Sequence, residues 1–302
     1  MRILPFKIAK PVNESVWVQN DQLPHLYDIL HQHDEFQITM IQESTGNLIA
    51  GNRICEFNPG DVFVFGPRLP HAFKNDAAYY RPGTQMLAKA ISVYFDWNVF
   101  GAVFWTLPET KLLSDFGQKA ERGLFYSGQL YPELVSKIEQ LSVTSGIDRL
   151  IMLLSILRQL AIVNGEILST EGAYNKLSET DEKRLDAVYR FTLNEYHRPV
   201  SLIEIAGVAN MTVNSFCRYF KTRTRKSYID FLNEFRIGQA CKLLQQKDFS
   251  IADIAEQVGF VNLSNFNRKF KKLNDCTPKE YKLKIKQNSE EPPLHQSLSQ
   301  SL

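Results

Sequence analysis

The sequence predicts a two-domain α+β protein: an antiparallel β-barrel or sandwich with trailing helices, then an all-α module of two helix-turn-helix units joined by a long linker helix. Three observations carry this. Short apolar segments broken by turn residues fill residues 1 to about 108, helical periodicity takes over from Lys111, and the last third matches itself when slid by about fifty residues. At 302 residues the chain can bury two cores, since domains usually run about 100 to 200 residues.

The strand-like segments are Val16 to Val18, Phe36 to Ile41, Asn47 to Ala50, Arg53 to Phe57, Val62 to Phe65 and Ala90 to Phe95. Between the last of the Arg53 segment and Val62 stands Asn58-Pro59-Gly60-Asp61, where proline fixes φ at the first corner of a turn and glycine accepts a positive φ at the second. Helices are expected over 111–163. There Ile147, Leu150, Ile151, Leu154, Leu157, Leu160 and Ala161 form a stripe at helical spacing, which suits either packing on the barrel or a dimer interface. Residues 164–181 turn polar and glycine-containing, as linkers do, so 1–163 and 182–287 are the expected domains. The Ser/Gln-rich residues 288–302 read as a disordered tail.

Charge follows the same division. Lys and Arg against Asp and Glu leave −4 over residues 1–180, +8 over 181–286 and −2 over the rest. A block of positive charge favours a polyanionic partner through counterion release. The apolar fraction of 44% and charged fraction of 23% exclude wholesale disorder. Cys55, Cys217, Cys241 and Cys276 are widely spaced with no CxxC pair, which fits a reducing cytoplasm. The most apolar stretch, 147–163, carries Asp148, Arg149 and Arg158 and is too short to span a bilayer, so no membrane partner is expected.

One copy of the repeat is Ser201-Leu-Ile-Glu-Ile205-Ala206, then Asn210, then Phe216-Cys217-Arg218-Tyr219-Phe220-Lys221. The other is Ser250-Ile-Ala-Asp-Ile254-Ala255, then Gly259, then Phe266-Asn267-Arg268-Lys269-Phe270-Lys271. Ser201 with Glu204, and Ser250 with Asp253, have the spacing of a capping box and mark helix starts. Ala206 and Ala255 are small where helix axes approach, and Asn210 and Gly259 can take the left-handed conformation that ends a first helix. In the second helix Phe216 and Phe220, or Phe266 and Phe270, face a core. Asn214, Arg218 and Lys221 share the opposite stripe, as do Ser264, Arg268 and Lys271. A major groove admits one such helix, and an arginine fork can bind guanine O6 and N7 together. Lys221, Lys269 and Lys271 suit phosphates, while Cys217 lies beside Arg218 on the outward face. Between the copies, Ser227 to Gln245 reads as a helix of roughly 28 Å, comparable to the ~34 Å repeat of B-DNA.

Residues 182–287 resemble the DNA-binding domain of the AraC/XylS family of bacterial regulators. The match runs from Cys241 through Ser250-Ile-Ala-Asp-Ile-Ala-Glu-Gln-Val-Gly-Phe260 and Phe266-Asn-Arg-Lys-Phe-Lys-Lys272 to Thr277-Pro278-Lys-Glu-Tyr281. The resemblance implies that Asn214, Cys217 and Arg218, and Ser264, Asn267 and Arg268, sit where family members contact bases. It also implies double-stranded promoter DNA, a small-molecule effector and RNA polymerase as partners, a homodimer, and a chain that is not an enzyme.

His31-Gln-His33-Asp-Glu35-Phe-Gln37, followed by Gly60-Asp61 and Pro70-His71, resembles the paired motifs of the cupin barrel. Metal-binding cupins place a glutamate where Gln37 stands. The ligand set therefore reads as incomplete, and neither a metal nor another cofactor is assigned. His31, His33, Gln37 and His71 are instead the expected polar contacts of an effector. A metal-dependent cupin enzyme fused to a DNA-binding domain, and an architectural DNA binder with no effector, stay open as alternatives.

Overall fold

The computed structural model describes residues 11, 13–163, 165–170, 177–245 and 249–283. The expected tail and parts of the expected linker and of 182–287 lie outside them. The first half is built from two antiparallel sheets. Across the larger sheet lie β1 (Val16–Leu23), β7 (Ala88–Phe95), β2 (Phe36–Glu43), β5 (Val62–Phe65), β8 (Leu124–Tyr126) and β9 (Glu166–Ile167) in that spatial order. The smaller sheet is β4 (Arg53–Phe57), β3 (Gly46–Ala50) and β6 (His71–Asn75). Among the described residues neither sheet closes on itself, so of the two expected forms, barrel or sandwich, the architecture is an open sandwich and a closed cupin barrel is not seen.

Burial explains the layering. The strand β2 is buried on both faces, because alternate side chains of a strand point opposite ways. Phe36, Ile38 and Met40 face outward into a cluster with Leu113 and Phe116 of α1 (Lys111–Ala120), Leu134, Ile138 and Leu141 of α2 (Pro132–Val143), and Leu153, Ile156, Leu157 and Leu160 of α3 (Gly146–Ile162). Ile41 points the other way, into a second core with Leu48, Phe57, Phe63, Phe65 and Phe73 between the sheets. The stripe expected on α3 is rotated: Leu153 and Ile156 take core places, while Ile147 and Ile151 are 68% and 59% exposed. The helix is apolar on more than one face, so its period alone could not say which face is buried.

The helical half begins with α4 (Glu179–Glu195) and continues through α5 (Leu202–Val208), α6 (Val213–Thr224), α7 (Tyr228–Gln245), α8 (Ile251–Gln257) and α9 (Leu263–Asn274). The two ends of α7 serve different cores. Tyr228, Phe231 and Leu232 pack with Ile205, Phe216 and Phe220, whereas Ile237, Ala240 and Leu244 pack with Ile254, Phe266 and Phe270. Expected as separate units, the two halves in fact share a core. Leu30, Ile49 and Ala72, on the outer face of the smaller sheet, cluster with Leu185, Val188 and Tyr189 of α4. Polar bonds reinforce the contact: the Leu30 amide donates to Asp186 Oδ1 (3.1 Å), the Tyr189 hydroxyl to the Gly51 carbonyl (3.0 Å), and Arg190 pairs with Asp28 (3.2 Å).

Candidate functional site

The two helix-turn-helix units repeat one another down to the main chain. Ser201 caps α5 by accepting from the Glu204 amide, and Ser250 caps α8 through a reciprocal capping box with Asp253. Asn210 and Gly259 both take a positive φ, 52° and 85°, which ends the first helix of each unit. The next amides, Met211 and Phe260, each donate 2.9 Å back to Ala206 and Ala255. Thr212 and Asn262 then cap the second helices, whose far ends stop at Arg225 and Asp275, again at positive φ, 59° and 55°. A joint holds the units together. Arg236 of α7 donates from Nε to the Tyr196 carbonyl (2.8 Å) and from Nη2 to that of Arg198 (2.6 Å), and Gly259 nestles against the same Tyr196 carbonyl.

The second helices present the expected faces. Phe216, Phe220, Phe266 and Phe270 are fully buried, and Asn214, Cys217, Arg218, Lys221, Ser264, Asn267, Arg268 and Lys271 are all exposed. The sandwich packs on α4 and leaves both faces open. Arg268 is steadied by a bond from Nη2 to Asn265 Oδ1 one turn earlier (3.0 Å). Lys269 differs from the others: it is half-buried and paired with Asp230 of α7 at 3.0 Å.

The four residues expected to meet an effector do come together. His31 and His33 lie on the segment leading into β2, and His71 opens β6; His31 and His71 exchange main-chain hydrogen bonds (3.1 and 2.9 Å). Gln37 Oε1 lies 2.8 Å from His33 Nε2 and 3.0 Å from His71 Nε2. One ligand nitrogen from each of the three histidines falls within 4.8 Å of the others, a grouping that could hold a metal ion among the described residues. Burial pushes the His31 imidazole down to about 3, lowers His33, and drives His71 well below the ordinary histidine range, so all three are neutral rings at physiological pH. Glu35 stays apart from the cluster's centre, its carboxylate 3.7 Å from His33 Nδ1.

Two features were not legible in the sequence. Asn52, in the turn between β3 and β4, is fully buried and reaches the end of α6; Gly51-Asn52 reads only as a turn dipeptide. A cavity of about 570 Å³ opens between β4 and α7, with Arg53, Glu56, Lys226, Glu234 and Lys242 among its walls, and Lys242 and Glu56 pair across it. Its lining comes from segments more than a hundred residues apart, which no local pattern announces.

A family model described as a helix-turn-helix domain matches residues 205–284. The chain is 28% identical over 264 residues to the HTH-type transcriptional regulator YdeC of Bacillus subtilis, covering 85% of this chain and 86% of that one. It is 24% identical over 262 residues to the HTH-type transcriptional activator RhaR of Mannheimia succiniciproducens, covering 84% and 86%. Among solved structures, the C-terminal domain of the two-component response regulator yesN from Fusobacterium nucleatum is 27% identical over 32% of this chain and 93% of that one, with a TM-score of 0.30. No helix among the described residues is long and apolar enough to cross a membrane. The chain thus carries a doubled helix-turn-helix where the family model matches, and along most of its length it is similar to relatives described as transcriptional regulators.

Proposed function

We propose that the chain reads two short boxes in promoter DNA, one with α6 and one with α9, and that a small ligand in its cupin-like N-terminal half modulates the binding. The carrying observation is the matched exposure of Arg218 and Arg268 on two units with the same capping, turn and core. Arg218, with Asn214 and Cys217, and Arg268, with Ser264 and Asn267, are the base-contacting groups; Lys221 and Lys271 hold phosphates. Modulation requires a ligand that binds one arrangement of the halves better than another. The core shared by the smaller sheet and α4 supplies an arrangement that can differ. A homodimer through α3 accords with Ile147, Ile151 and the nearby Val143, 85% exposed, and sedimentation of Ile151→Asp against wild type tests it.

Selection of bound duplexes from a random pool by the full-length protein tests the reading itself. Two boxes about one helical turn apart should emerge. Arg218→Ala and Arg268→Ala should each blur one box and cost about 1 to 3 kcal/mol of specific binding. Loss spread evenly over all sequences would make these arginines phosphate contacts and sink the assignment.

A further inference from the structure

The second helix-turn-helix unit holds a residue that the first does not. The Met211 and Phe260 amides donate to Ala206 and Ala255, so these two residues correspond across the turns. Thr212, the cap of α6, follows Met211 directly, whereas Val261 stands between Phe260 and Asn262, the cap of α9. An apolar residue just ahead of a cap often packs on the fourth residue of its helix. For α9 that residue is Phe266, and Phe260 already meets it with ring centres 5.3 Å apart. Val261 is left without that role and is 86% exposed, and Leu263, the first residue of α9, is 44% exposed. In the first unit Met211 and Val213 are instead half-buried against the core of Phe216 and Phe220.

Single exposed apolar residues are common on protein surfaces. These two flank one cap and lead into the exposed stripe of Ser264, Arg268 and Lys271, which begins three residues after Val261. A recognition helix enters the major groove with its first residues toward the base edges. The start of α9 is also held in place: Asn262 Oδ1 accepts from the Asn265 amide (3.1 Å), and Asn265 Oδ1 accepts from Arg268 Nη2 (3.0 Å). In the major groove thymine alone presents a methyl group, while the remaining edges offer hydrogen-bond donors and acceptors. Apolar side chains at this place therefore suit one base. The cations that follow on the same helix, Arg268, Lys271 and Lys272, favour DNA over an apolar protein surface as the occupant.

We propose that Val261 and Leu263 read the 5-methyl group of thymine in the box bound by α9, and that the box bound by α6 has no such reading. The inference rests on α6 and α9 being the groove-bound helices, and it goes further by naming a base and making the two boxes chemically unlike. Unlike boxes give the site a direction. A chain bound end for end would set Val261 and Leu263 against hydrogen-bonding edges and leave those donors and acceptors unpaired.

The test uses the full-length protein and the duplex it selects, the α9 box being the one that Arg268→Ala blurs. Each thymine is replaced singly by deoxyuridine, which removes only the methyl group. Affinity is read by fluorescence anisotropy for wild type, Val261→Ser and Leu263→Gln, with urea midpoints checking that both variants fold. In wild type at least one thymine of the α9 box should cost about three- to fivefold when demethylated, the order of burying one methyl group. In one or both variants that penalty should fall below about twofold, as expected when one partner of an interacting pair is already gone. No thymine of the α6 box should depend on either residue. An α9 box without thymine, or one indifferent to deoxyuridine, would overturn the inference and leave the boxes and Arg268 standing. A penalty equal in all three proteins would overturn it too, and would assign any affinity lost in the variants to the sugar-phosphate backbone. Absence of any enriched box would sink the groove reading itself and this inference with it.

Discussion

Asn52 donates from Nδ2 to the carbonyl of Thr224, the last residue of α6, at 2.8 Å. The same side chain accepts from Ser169 Oγ and the Thr170 amide, so one buried amide ties the β3–β4 turn, the segment after β9 and the end of α6. Replacing Asn52 with Ala removes these hydrogen bonds at a fully buried position. We expect a loss of about 1 to 3 kcal/mol in denaturant unfolding. Amide exchange in α6 should quicken more than in α9. Equal quickening in both helices would mean that the bond contributes only to global stability.

The two glycines of the helix-turn-helix units should respond oppositely to alanine. At Gly259 a Cβ would run into the Tyr196 carbonyl and the Arg236 guanidinium, at a φ of 85° that side chains resist. Gly259→Ala is therefore expected to destabilise by more than about 1 kcal/mol. Gly207 lies within α5 with open space where a Cβ would go, and Gly207→Ala should stabilise by about 0.5 to 1 kcal/mol. Urea midpoints of the two variants decide it; a destabilised Gly207→Ala would contradict the helical geometry of α5.

Lys221 and Lys269 occupy the same kind of helix but should differ in salt dependence. Lys221 is exposed, whereas Lys269 is held by Asp230. Lys221→Ala should reduce the slope of log affinity against log salt by about 1, and Lys269→Ala by much less. Equal reductions would show that Lys269 leaves Asp230 when DNA binds.

The capping box of α8 carries a pH signature. Hydrogen bonds from the Ser250 side chain and main chain hold the Asp253 carboxyl below its ordinary value of 3.8. A carboxyl depressed in the folded state adds stability above its unfolded value and loses it as pH falls through the folded one. Asp253→Asn should therefore be less stable than wild type at neutral pH, and the gap should close as pH drops below about 4. A gap that persists in acid would assign the loss to the amide's shape rather than to the charge.

What could be read in advance depended on whether a signal was local. The repeat announced both units, their caps at Ser201 and Ser250, and the left-handed turns at Asn210 and Gly259, because each follows from a few neighbouring residues. Strands with apolar alternation were equally plain. In contrast β6 holds His71, Lys74 and Asn75, and β8 and β9 are three and two residues long, so their edges were lost to the motif and helix readings around them. The histidines were legible as a group, while the direction of each Nδ1 toward a carbonyl was not, since that depends on how loops fold back. Burial of α4 on the smaller sheet was hidden for a similar reason: Ile49 and Ala72 meet Tyr189 only after the sandwich exists.

That shared core bears on how the protein is made and cut. During synthesis the N-terminal half emerges first, so Leu30, Ile49 and Ala72 leave the ribosome before the α4 residues that cover them. A fragment beginning near residue 178 would keep Tyr189 packed on Phe220 and Phe231 but lose the part of the cover that Leu30, Ile49 and Ala72 give to Leu185, Val188 and Tyr189. Such a fragment should expose new apolar surface and be sticky in solution.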